Sequence, residues 1–211
     1  MRSLKPFIAG TLLLMGGLAA AGIYEDMLHA VNNDDEHTVA QLLQRGMNVN
    51  TVDSSGESLL MLAARRGRPE MLKTILGARP RVNARNAYGE TALMLAAFNG
   101  QTEAVRVLLA QGAEFNHSGW NPLIYAAGRN RMDIARILIA RGAEVNAVAE
   151  NGTTALMMAA REGHLQMVLL LLEHGADINL KTPAGHSALG LAKDHDRREI
   201  VQTLTRAGAV E

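Results

Sequence analysis

Ser58-Leu59-Leu60-Met61-Leu62-Ala63-Ala64 returns 33 residues later as Thr91-Ala92-Leu93-Met94-Leu95-Ala96-Ala97. The block comes again as Asn121-Pro122-Leu123-Ile124-Tyr125-Ala126-Ala127 and as Thr154-Ala155-Leu156-Met157-Met158-Ala159-Ala160. A weaker copy reads Ser187-Ala188-Leu189-Gly190-Leu191-Ala192. The alanines at 63, 96, 126, 159 and 192 are spaced 33, 30, 33 and 33, and one more step back from Ala63 reaches Ala30. Self-similarity at a period of this size marks a stack of small units, none of which can bury its apolar face alone.

A second block recurs in phase with the first. Leu42-Leu43-Gln44-Arg45-Gly46-Met47-Asn48-Val49-Asn50 has copies at 108–116, 138–146 and 171–179, each with two apolar residues, a Gly and a terminal Asn. Apolar pairs such as Met71-Leu72, Ile134-Ala135 and Met167-Val168 lie four residues before the next apolar pair, which puts both on one helical face. Small Ala pairs allow close helix packing, and Gly46, Gly112, Gly142 and Gly175 suit the left-handed turn that ends a helix. Thr91 and Thr154 are placed to cap the helices that follow them.

Taken together, these blocks resemble the ankyrin repeat, whose pattern is a Gly turn, T-P-L-H-x-A-A, a Gly break, a helix ending in L-L, and G-A-x-x-N. The resemblance runs over residues 23–211. It implies an all-α solenoid of about six helix-turn-helix repeats with short β-turn fingers, at 23–52, 53–85, 86–118, 119–148, 149–181 and 182–211. Departures stand out against the pattern. The usual His is replaced by Met61, Met94, Ile124 and Met157, so its polar contacts should give way to apolar packing. Arg79-Pro80 stands where Gly-Ala is expected, and repeat four lacks three residues between Asn116 and Gly119, which predicts a short finger. The ends turn polar, through Asn32 to Asp35 and Lys193 to Arg198, as terminal caps must.

Composition narrows the function. Hydrophobic residues make up 48% of the 211 and aromatics only 3%, so the core is built from thin side chains. Basic and acidic residues balance at 21 each, which leaves no basic stripe for nucleic acid. Cysteine is absent, which removes disulfides, thiolate metal sites and a catalytic Cys. Residues 1–21 read as a cleavable export segment ahead of a repeat domain at 22–211. Arg2 and Lys5 precede an apolar stretch from Phe7 to Leu18, and Ala19 and Ala21 occupy the A-x-A positions, with cleavage expected after Ala21 or one residue later. The alternative is an uncleaved membrane anchor, because Phe7 to Tyr24 is an uncharged run of 18 residues. The expected location is therefore the periplasm of a bacterium, with membrane anchoring or secretion as alternatives.

Catalytic chemistry finds no foothold. H-E-x-x-H, G-x-S-x-G, Walker and dinucleotide Gly motifs are missing, and the chain reads as a non-enzyme without cofactor or metal. His164 and His174 sit beside Gly163 and Gly175, where a structural role is expected; Asp194-His195-Asp196 reads as a solvated cluster of the end cap. Glu57 and Glu90 occupy the same place in adjacent fingers, so the two carboxylates have the chance to face each other.

The resemblance also implies where a partner binds: fingers and first helices line a concave face whose variable contacts flank each turn Gly and follow each Ala pair. In those slots stand Tyr88, Phe98 and Trp120, Glu57 and Glu90, and Arg65, Arg66, Arg129 and Arg161 along the same face, all expected as protein-binding residues. Aromatic residues and Arg dominate binding hot spots. The alternative is that the aromatics merely fill the gap left by the short finger. Tyr125 and Phe115 are expected in the core. The implied function is a monomeric module that binds another protein with an acidic surface, contacting neither nucleic acid nor, once cleaved, membrane, and supporting or assembling that partner. Alternatives are an inhibitor or immunity protein against a periplasmic toxin or enzyme, and a secreted effector that binds host proteins.

Overall fold

The computed structural model describes residues 25–210. Residues 1–21, expected to form an export segment, and Tyr24 after them lie outside the described residues. Helix α1 is described over residues 25–32. It is followed by α2 (Glu36–Gln44), α3 (Leu59–Arg66), α4 (Pro69–Gly77), α5 (Ala92–Asn99), α6 (Thr102–Ala110) and α7 (Pro122–Gly128). The second half comprises α8 (Met132–Ala140), α9 (Ala155–Glu162), α10 (Leu165–Glu173), α11 (Ala188–Asp194) and α12 (Arg198–Arg206). These form six helix-turn-helix pairs, and β structure among the described residues is limited to the bridges Val52–Ser58 and Lys181–Ser187.

The first helices stack directly, α3 on α5 on α7 on α9 on α11. Ala63, Ala64, Ala96, Ala97, Ala126, Ala127, Ala159, Ala160 and Ala192 are sealed in that stack, so a larger side chain at any of them meets the neighbouring helix. Each of these five first helices begins with a capping side chain, from Ser58, Thr91, Asn121, Thr154 and Ser187, which accepts a backbone N–H one turn in. The methionines that replace the expected His do more than pack. Met61 Sδ accepts from the Ser58 backbone N–H at 3.5 Å and Met94 Sδ from that of Thr91 at 3.2 Å. The thioether thus closes the reciprocal cap, and the polar contact expected to vanish survives in a weaker form.

Asparagine stitches neighbouring pairs together. Asn83, Asn116 and Asn146 each donate from Nδ2 to a carbonyl of the next repeat, at Gly112, Gly142 and Gly175. The same three accept through Oδ1 from the backbone N–H of Glu114, Glu144 and Asp177, at 2.7 to 3.0 Å. Asn50 and Asn179 extend the ladder by accepting from Arg81 and Val210. A second ladder secures the first helices: Gln101, Arg131, His164 and Arg197 each reach back to a carbonyl near the end of the preceding first helix, at Arg65, Phe98, Gly128 and Arg161. His164 is structural in that sense, and His174 bonds its own helix at Leu170 O.

The two irregularities in the sequence have local consequences. Arg79 keeps the helix-ending turn by adopting φ 55, a left-handed conformation that strains any residue with a Cβ and more so before Pro80. Fingers two, three, five and six are each closed by a backbone bond, from Asp53 to Glu57, Asn86 to Glu90, Ala149 to Thr153 and Thr182 to His186. Among the described residues no such bond closes the short fourth finger, and Gly119 (φ 90) turns the chain directly into Trp120.

Candidate binding groove

A groove of about 300 Å³ opens across the ends of α5, α7 and α9, on the side that carries the fingers. Its walls are Phe98, Trp120, Tyr125, Gly128, Arg129, Met158, Arg161 and Glu162. Three rings form one cluster. Tyr125 stands edge-on to Phe98 (centroids 5.6 Å, 89°) and lies tilted against Trp120 (5.4 Å, 34°). Such pairs add about 0.5–1.5 kcal/mol each beyond their buried area, so the rings hold one another in place. The Arg129 guanidinium lies 4.1 Å from the centre of the Phe98 ring, a cation–π contact that holds the charge at the rim.

Gly128 provides the opening. It occupies the slot that holds Arg65, Phe98 and Arg161 in the neighbouring repeats, and a Cβ there would stand 2.8 Å from Met158 Cε. Met158 lies over Gly128 in place of a side chain and forms the floor between Phe98 and Arg161. At the finger end, Tyr125 donates its hydroxyl to Glu90 Oε1 at 3.1 Å, while Asn86 Nδ2 donates to Glu90 Oε2 at 3.0 Å. The Tyr125 phenol is pushed up to about 12, first by burial and then by the charge and hydrogen bond of Glu90, with Glu150 adding to the effect. A phenolate there would be poorly solvated beside two carboxylates.

Not every residue expected at a shared site is brought together. Phe98, Trp120, Arg129 and Arg161 line the groove. Tyr88 does not; it stands 79% exposed on the third finger. Tyr125, expected in the core, is half-buried and central to the ring cluster, because the phenol reaches outward to Glu90. Phe115 does pack against the core. Glu57 and Glu90 do not form a carboxylate pair: Glu57 is buried (6% exposed) and paired with Arg65, whereas Glu90 takes the Tyr125 hydroxyl. Arg161 is paired with its neighbour Glu162 at 2.8 Å, and Arg66 donates to Asn32 O at 3.3 Å. The row of arginines expected as a basic border is therefore half neutralised within the chain. Trp120 and Phe98 were legible from their slots; Gly128, over which Met158 forms the groove floor, stands out only when the same slot is compared across repeats.

Among the described residues no group of His, Asp and Glu is arranged to hold a metal ion, and no helix is long and apolar enough to cross a membrane. The family of ankyrin repeats in three copies matches residues 19–86, 60–149 and 144–210. No curated protein matches the chain.

Proposed function

The chain belongs to the ankyrin-repeat family, whose repeats are generic modules for binding other proteins, and from that premise we propose that it binds one partner protein through the groove of repeats three and four. The observation that carries this reading is the open, rigid cluster of Phe98, Trp120 and Tyr125 beside Gly128, on the face formed by first helices and fingers. Rings already locked against one another lose little entropy on binding. The chain acts after export, in the periplasm, as a monomer that supports or assembles its partner. The basis for that location is the sequence of residues 1–21 alone.

Capture from the native host tests the function. The full chain, tagged at its C-terminus, is expected to retain one stoichiometric partner, and a Phe98→Ala, Trp120→Ala variant with unchanged circular dichroism to lose it. Capture that is equal for both proteins would remove the groove from the account. A partner whose own activity falls on binding would replace the supporting role by an inhibitory one. Cell fractionation with N-terminal sequencing tests export: a periplasmic chain beginning at Gly22 is expected, and a cytoplasmic chain that keeps Met1 to Ala21 would contradict it.

A further inference from the structure

The groove has two unlike ends. At the helix end, the Arg129 guanidinium is held over Phe98, and among the described residues it forms no ion pair. At the finger end, Glu90 receives the Tyr125 hydroxyl, and the carboxylate of Glu150 lies over Gly119, next to Trp120. The apolar floor runs between them. A volume of about 300 Å³ sits at the small end of ligand sites, enough for one large side chain rather than a cofactor. Resting on the reading that this groove is where the partner binds, we propose that its occupant is a linear segment of the partner that seats one large apolar side chain between Trp120 and Met158 and places an adjacent acidic side chain on Arg129. The two carboxylates at the finger end repel the acidic residue from that side and so fix its placement. Arg129 meets the incoming carboxylate already positioned, so little side-chain freedom is lost on contact. Arg161 lies on the same rim but is occupied by Glu162, which leaves Arg129 as the group that reads charge.

Selection of a displayed random-peptide library against the full chain tests this, with affinities of the selected peptides read through Trp120, the chain's single tryptophan. The expected outcome is enrichment of peptides that carry an aromatic or large aliphatic residue close to Asp or Glu. Arg129→Glu is expected to weaken them roughly tenfold or more and to shift a fresh selection toward Lys or Arg beside the same apolar residue. Gly128→Leu, whose Cβ alone already displaces the tip of Met158, is expected to abolish binding; Phe98→Ala serves as the second variant should Gly128→Leu fail to fold. Apolar peptides selected without acidic residues would overturn the role of Arg129. Peptides that bind Gly128→Leu and Phe98→Ala as well as wild type would overturn the groove as the seat, as would a selection that enriches nothing. If the native partner is still captured in that last case, binding to a folded surface stands and only the linear occupant fails.

Discussion

Repeats two and three carry the same residue type at the base of the finger and dispose of it in opposite ways. In repeat two, Glu57 is buried and met by Arg65 from the end of its own first helix, so the slot is filled by an ion pair that belongs to the chain. In repeat three the position of Arg65 is taken by Phe98, and Glu90 turns to the Tyr125 hydroxyl of repeat four. One repeat further, the same position is Gly128, and Met158 of the next repeat lies over it as the floor of an open groove. The same stacked first helices therefore give a self-satisfied surface in one place and, beside the shortened fourth finger, an open apolar groove in the next. Positions 65, 98 and 128, together with the shortened fourth finger, mark the difference, and it separates residues that maintain the array from residues available to a partner.

Substitutions on the two sides of that division have unlike effects. The largest effect is expected at the ring cluster: Trp120→Ala should weaken the captured partner by about 2 kcal/mol or more, measured by titration calorimetry, with a smaller change in stability. Next, Arg65→Ala should destabilise the chain by about 2 kcal/mol in urea unfolding, because it leaves a buried carboxylate without its guanidinium, while partner affinity stays unchanged. That figure lies between an exposed and a fully buried pair, since Arg65 itself is partly solvated. Affinity lost with Arg65 and kept without Trp120 would invert the comparison.

Smaller effects sharpen it. Arg79→Gly should raise stability by up to about 1 kcal/mol, because glycine adopts φ 55 without strain and the turn belongs to the frame. Tyr125→Phe should act mainly on pH dependence. With its folded pKa raised to about 12 from an ordinary 10.0, Tyr125 adds stability that is fully present below pH 10 and is lost as the pH rises toward about 12. The Phe variant should lose this contribution to the alkaline fall in stability, as read by thermal melts across that range.

The frame was legible because stacking leaves few choices. Ala63-Ala64 and its copies must be small, the capping positions need an acceptor, and the Asn of each second block must reach the next turn, so their spacing is written plainly in the chain. Arg79-Pro80 departs from the Gly-Ala expected there, and the structure shows the same turn made under strain. The site was read less fully. The slots pointed to Phe98 and Trp120, but a slot does not say which way a finger side chain leans, and Tyr88 leans into solvent. Tyr125 sits where Leu62 and Leu95 are buried; its hydroxyl needs a partner, and Glu90, 35 residues away, is the one in reach. Spacing within one repeat cannot reveal a bond that depends on how two repeats are set against each other.

Hydrogen exchange of the chain, alone and with its captured partner, tests the central claim most directly. The account predicts new protection in α5, in residues 119–129 and at the end of α9, with α6 and α8 unchanged. Protection that falls on α6 and α8 instead, with the ring cluster exchanging as before, would contradict it.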